Sequence, residues 1–288
     1  MRKYVRKLSC WLAVAVFMAA TVASAQNLFV SSDSGNKIYK ITPGGTVTTF
    51  FTQATDVGQL AFNSAGNLFE GAGSQILEFS PAGTESTFAT GLVDIGGLAF
   101  NSAGDLFVSD FNLNGSITEI TPSGVKSTFA TGLDEPRGLA FNSAGNLFVG
   151  TANNITEITP GGGQSLFASG VNVINVNSLA FNVFGNLFAE SDNQIILEIT
   201  PNGTQNTFAP LGADEQMAFD GQNILFVANE NNEGVLEYNS SGKQSTFVPG
   251  LGEAIGLAFQ PVPEPAVWGL LAMGAPAWLL CRRSRLLR

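Results

Sequence analysis

The chain has 288 residues, 44% apolar and only 12% charged, with 33 glycines, two cysteines, no histidine and a formal charge of −10. That apolar fraction supplies a packed core and excludes a disordered chain, and the acidity excludes a partner with a phosphate backbone. Without histidine there is no Ser-His-Asp or Cys-His nucleophile pair and no histidine-held zinc or haem.

Residues 1–25 begin with Arg2, Lys3, Arg6 and Lys7, continue in an apolar run from Trp11 to Ala20, and close on Ala23-Ser24-Ala25. This order of basic start, apolar run and small-residue exit predicts a secretory signal peptide cut after Ala25, with Ala23 and Ala25 at the positions read by signal peptidase. A short buried helix would not need that order. Cys10 precedes the apolar run and makes no lipoprotein box.

The middle of the chain, 26–260, is one unit repeated. Phenylalanines 29, 69, 107, 148, 188 and 226 follow a common Leu or its equivalent and are 40, 38, 41, 40 and 38 residues apart. A period of this length marks a repeat architecture. Each copy carries four short strand signals; one set is Gly138-Leu-Ala-Phe141, Leu147-Phe-Val149, Ile155-Thr-Glu-Ile158 and Ser165-Leu-Phe-Ala168. The first link, Asn-Ser-Ala-Gly at 63–66, 101–104 and 142–145, and the third, Thr-Pro-x-Gly at 42–45, 121–124 and 200–203, both predict tight antiparallel turns. Leu-Phe-Val and Leu-Ala-Phe are apolar on both faces, as expected for sheets covered on both sides. The expectation is an all-β, six-bladed propeller with four antiparallel strands per blade. The chain enters on a second-strand signal at Asn27 and ends on a first-strand signal, 256–259, so the last strand should complete the first blade.

The Gly-Leu-Ala-Phe, Gly-Asn-Leu-Phe-Val and Ile-Thr-Glu-Ile-Thr-Pro strings resemble NHL-repeat propellers and the wider six-bladed group of gluconolactonase-like and streptogramin-lyase-like proteins. The resemblance implies either a binding scaffold or a metal-dependent lactonase. The lyase's catalytic histidine has no counterpart in this chain.

Residues 261–288 carry Val262-Pro263-Glu264-Pro265, an apolar run of 16 residues from Ala266 to Cys281, and a basic cluster headed by Arg282 and Arg283. A spanning helix needs about 20 residues, so this is a short span with its arginines on the cytoplasmic side. The three parts in this order resemble a PEP-CTERM sorting signal, which implies processing by an exosortase, passing anchorage in the inner membrane, and secretion to the surface of a Gram-negative bacterium. An ordinary C-terminal anchor is the alternative. With both ends set aside, residues 26–260 hold five Lys and Arg against 22 Asp and Glu, a net charge of −17, and no cysteine or tryptophan.

Candidate chemistry lies on the face holding the longer links, 31–37, 109–116, 229–234 and the stretches before each first strand. Four residues before the first-strand Leu or Met stand Asp56, Asp94, Glu135, Asn175 and Glu253, with Asp214 beside the gap in the remaining copy. Hard oxygen ligands converging on the channel mouth suit Ca²⁺ or Mg²⁺; the plain alternative is a solvated acidic rim. No catalytic residue stands out. The third-strand Glu78, Glu119, Glu157, Glu198 and Glu237 read as polar positions that discourage sheet pairing. Asn114, Asn154, Asn202 and Asn239 fit the glycosylation pattern, which a bacterial sorting tail makes irrelevant. The expected function is a non-catalytic binding or structural module of the extracellular matrix, contacting an extracellular protein or polysaccharide. The alternative is a metal-dependent gluconolactonase-like hydrolase. With only Tyr39 and Tyr238 in the middle region, sugar stacking has few platforms.

Overall fold

The computed structural model describes residues 26–53, 57–170, 172–210, 216–231 and 234–262. The expected signal peptide with Ala23 and Ala25, the expected sorting tail from Pro263 with Glu264, Pro265, Arg282 and Arg283, and the candidate ligands Asp56 and Asp214 lie outside the described residues.

Six four-stranded antiparallel sheets form the blades. Strands β1 (Leu28–Ser32), β2 (Lys37–Ile41) and β3 (Val47–Thr52) form the first, and β4 (Leu60–Phe62), β5 (Leu68–Ala72), β6 (Gln75–Phe79) and β7 (Glu85–Thr90) the second. The third holds β8 (Ile95–Phe100), β9 (Leu106–Asp110), β10 (Gly115–Ile120) and β11 (Lys126–Leu133), and the fourth β12 (Leu139–Phe141), β13 (Leu147–Gly150), β14 (Asn154–Ile158) and β15 (Gln164–Ser169). The fifth holds β16 (Ser178–Phe181), β17 (Leu187–Ser191), β18 (Ile195–Ile199) and β19 (Gln205–Pro210), and the sixth β20 (Met217–Phe219), β21 (Leu225–Asn229), β22 (Gly234–Tyr238) and β23 (Gln244–Val248). The final strand, β24 (Ala254–Phe259), pairs with β1, Leu28 opposite Phe259, and closes the ring as the sequence predicts. The first strands β24, β4, β8, β12, β16 and β20 touch in succession and come full circle around the axis.

The tight links behave as their residues require. In the six Thr-Pro-x-Gly-type turns the glycine sits at φ 75–83°, open to glycine at no steric cost. The Asn-x-x-Gly turns end likewise at Gly66, Gly104, Gly145 and Gly185, and Asn223 takes the left-handed position in the sixth blade.

The core is divided into layers between blades. Each second-strand phenylalanine meets two rings edge-on: Phe148, 3% exposed, touches Phe167 of its own blade and Phe181 of the next at 4.8 and 5.1 Å between centroids. The same pair of contacts recurs at Phe29, Phe69, Phe107, Phe188 and Phe226. Such edge contacts add about 0.5–1.5 kcal/mol each beyond burial. The fourth-strand member of each trio, including Phe50, is the extra residue of a β-bulge: Ile155 faces Ala168 and Thr156 faces Leu166, which leaves Phe167 unpaired. All six blades carry this bulge. The bulge turns a side chain out of strict alternation and into the neighbouring layer.

The strands run further than the three- and four-residue signals indicate. Ser31, Ser32, Ser109, Asp110 and Asn229, expected in links, are the ends of β1, β9 and β21. They pair because the fourth residue of each second strand lies against the entry backbone of the next blade. Ser31 Oγ donates to Gly58 O at 2.7 Å, Ser109 Oγ donates to Arg137 O at 2.7 Å, and a Cβ on Gly150 would sit 2.4 Å from Val176 O.

Candidate functional site at the loop-face mouth of the channel

On one face the links between second and third strands bond the links that enter first strands. Asp33 N donates to Glu253 O at 3.0 Å, Phe111 N to Asp94 O at 2.8 Å, Glu135 N to Asn112 O at 3.1 Å and Asn175 N to Ala152 O at 2.8 Å. The candidate residues Asp94, Glu135 and Asn175 share one backbone conformation, with φ of 38°, 49° and 45°. Aspartate and asparagine enter this left-handed region more readily than other side chains, and Glu135 is held in it without that preference.

Between these entries lies a hollow of about 750 Å³, walled by Gln59, Asp94, Ile95, Phe111, Arg137 and Asn177. Arg137 is the single arginine of residues 26–260. Its guanidinium carbon stands 4.3 Å from the centre of the Phe111 ring, and Nη2 donates to Glu135 Oε2 at 3.3 Å. Nη1 donates to Asn177 Oδ1. Asn177 Nδ2 in turn donates to Asp192 Oδ1 at 3.2 Å, and Asn175 Nδ2 donates to Asp192 Oδ2 at 2.5 Å. One chain of hydrogen bonds thus links Glu135, Arg137, Asn177, Asp192 and Asn175 across two blade entries. The sequence reading singles out Glu135 and Asn175 but misses Arg137, Asn177 and Asp192. The available signal was the uniqueness of that arginine in an acidic domain.

Four of the six expected ring residues are described, and each has its own surroundings. Glu135 serves as counter-ion to Arg137, Asn175 is committed to Asp192, Asp94 faces the hollow, and Glu253 sits by Ser34, whose Oγ accepts from its backbone N–H at 3.2 Å. Among the described residues no group of three or more histidine, cysteine or carboxylate side chains is arranged to hold a metal ion.

Below the hollow, Gln216 ties three first strands together. Its Oε1 accepts from Leu257 N at 2.8 Å and Leu60 N at 3.2 Å, and its Nε2 donates to Leu60 O at 3.0 Å. A separate cavity of about 580 Å³ opens on the opposite face, lined by Leu60, Phe62, Phe100, Met217, Phe219 and Phe259. It shares no lining residue with the hollow.

Two buried carboxylates break the repeat. Glu70 stands where other blades carry Val30, Val108, Val149, Ala189 and Val227. It is fully buried, accepts from Gly58 N at 3.3 Å and from Gln53 Nε2, and burial pushes its pKa up to about 8 against the lowering effect of the Gly58 N–H, with Glu85 adding to the rise. Glu190, also fully buried, lies across from Ser178 at a position held elsewhere by Ser31, Gly71, Ser109, Gly150 and Ala228. The third-strand glutamates have structural partners. Asn67, Asn146 and Asn186 donate from Nδ2 to Glu78, Glu157 and Glu198 at 2.7, 2.6 and 2.6 Å. Where that asparagine is replaced by Asp105 or Ile224, Glu119 and Glu237 instead accept from Ser127 and Ser245 on the fourth strand.

No family model and no curated protein matches this chain. Among solved structures it is similar to a gluconolactonase from Xanthomonas campestris, with 15% identity, TM-score 0.64, and 84% of this chain covering 94% of that one. It is similar to a catalytically inactive histidine-to-alanine variant of virginiamycin B lyase from Staphylococcus aureus bound to quinupristin, with 17% identity, TM-score 0.60 and coverages of 83% and 94%. A protein of unknown function from Bacteroides caccae gives 18% identity, TM-score 0.63 and coverages of 83% and 100%. The shared feature is the six-bladed propeller fold.

Proposed function

We propose that this protein is an exported, non-catalytic binding module of the extracellular matrix that presents its loop-face hollow to an extracellular protein or polysaccharide. The observation that carries this reading is the hydrogen-bonded chain from Glu135 through Arg137 to Asn175. It fixes a stacked guanidinium and an amide, held by the Glu135 and Asp192 carboxylates, on one wall of an open hollow, with Phe111 and Ile95 as apolar wall. A few placed polar groups on an apolar wall recognise a ligand without needing to transform it. The signal peptide and sorting tail supply the address, through signal peptidase and an exosortase.

The test is retention of the protein on a panel of immobilised exopolysaccharides and extracellular proteins, beside its Arg137→Ala variant. Retention on at least one surface, lost in the variant while the melting temperature is kept within a few degrees, is expected. Equal retention of both proteins overturns the assignment of the hollow.

The second reading, a Ca²⁺- or Mg²⁺-dependent lactonase, is supported by the propeller fold shared with the Xanthomonas campestris gluconolactonase and by Asp94 on the wall of the hollow. It predicts lactone hydrolysis that EDTA abolishes and calcium restores, together with a stoichiometric cation in the purified protein. The lyase reading fails because this chain contains no histidine, and the Staphylococcus aureus lyase solved with one histidine replaced by alanine is catalytically inactive.

A further inference from the structure

We propose that the face carrying the tight turns is a lipid-docking surface, so that the disc sits on a bilayer with its loop face turned outward. Two observations meet here. The first is where the chain leaves the disc: Gln26 and Asn27 donate to the Gln260 backbone and side-chain oxygens at 3.2 and 3.0 Å, beside the turn 220–224, where Gly221 N donates to Gln26 Oε1. Both ends therefore depart from the tight-turn face. From Val262, 42% exposed, only four residue steps lead to the apolar run that begins at Ala266, a reach of about 14 Å at full extension. A membrane entered by that run lies against this face.

The second is the turn 182–186. Three other blades place Ser-Ala at its centre, at 64–65, 102–103 and 143–144, but this one exposes Val183 and Phe184 at 68% and 76%. Such an exposed apolar pair suits burial at the headgroup boundary.

The proposal rests on the C-terminal run entering the membrane, not on the ligand of the hollow. The test uses the full chain carrying Cys10→Ser and Cys281→Ser, reconstituted into phosphatidylethanolamine–phosphatidylglycerol vesicles. An environment-sensitive dye is attached at Phe184→Cys or, on the loop face, at Leu113→Cys. Flotation with the vesicles is expected, with a lipid-borne quencher dimming the dye at 184 several-fold more than at 113 and aqueous iodide doing the reverse. Equal or reversed quenching overturns the orientation. A chain that stays in the soluble fraction overturns the anchorage beneath it, and flotation reports this separately from the dye. With the dye moved to Ser143→Cys, restoring Ser-Ala at 183 and 184 should lower lipid quenching; unchanged quenching overturns the role of the apolar pair.

Discussion

Replacing Glu70 with glutamine removes a titrating carboxyl from the layer between the first two blades while keeping its size. In the folded protein this carboxyl is fully buried and its pKa stands at about 8, against 4.5 for the free side chain. A raised carboxyl pKa means that the folded state holds the proton more tightly than the unfolded one. Its stabilising effect is therefore complete below pH 4.5 and is lost as pH rises through 8. At about 1.4 kcal/mol for each pH unit, that interval amounts to about 5 kcal/mol. The glutamine variant has nothing to ionise. Its Oε1 keeps the Gly58 N–H, and once the Gln53 amide turns over, exchanging the Nε2 that now donates to Glu70 for Oε1, its amide N–H can donate to that oxygen, which has no partner among the described residues. Urea unfolding of both proteins at pH 5, 7 and 9 should show near equality at pH 5 and a variant advantage that grows to about 4–5 kcal/mol at pH 9. Stability curves that stay parallel across this range would refute the reasoning, because they would mean that Glu70 is solvated or ionised at no cost in the fold.

Phe188→Ala removes the centre of one aromatic trio and should cost about 3–5 kcal/mol in thermal or urea unfolding, while Phe184→Ala, on an exposed turn, should cost almost nothing. Gln216→Ala deprives the backbone N–H groups of Leu60 and Leu257 of their acceptor and should lower stability by about 1–3 kcal/mol; an unchanged urea midpoint would show that water replaces it freely. Gly150→Ala drives a Cβ into Val176 O and should cost about 1–3 kcal/mol, with hydrogen exchange rising first at the entry to the fifth blade. Asn146→Ala leaves Glu157 to solvent and to Ser165 and should change stability by less than about 1 kcal/mol.

How much of the candidate site was legible differs by residue. Asp94, Glu135 and Asn175 could be aligned because the repeat puts them at one distance from each first strand, and the structure gives all three the same left-handed backbone. Their partners could not. Arg137 and Asn177 hold the same position in consecutive repeats, 40 residues apart, but the other repeats place different residues there and nothing in the period says that the two side chains meet, while Asp192 belongs to the far hairpin of the same blade as Asn175. Glu70 and Glu190 were hidden for the opposite reason, since each occupies one position of an otherwise apolar second strand and looks like ordinary variation until its burial is known.

The fold itself was written locally. A period near 39 residues, four strand signals per unit, and turns whose proline and glycine preset their own dihedrals dictate six blades, and a chain that starts on a second strand and ends on a first dictates how the ring closes. These features depend on neighbours in sequence, which is why no tertiary information was needed. The bulge that turns Phe167 and its five equivalents toward the second-strand phenylalanines and the tie of Gln216 across three blades came only with closure. Each of these depends on which side chains meet when separate sheets pack around one axis, and that is settled by geometry between repeats, on which the pattern within a repeat is silent.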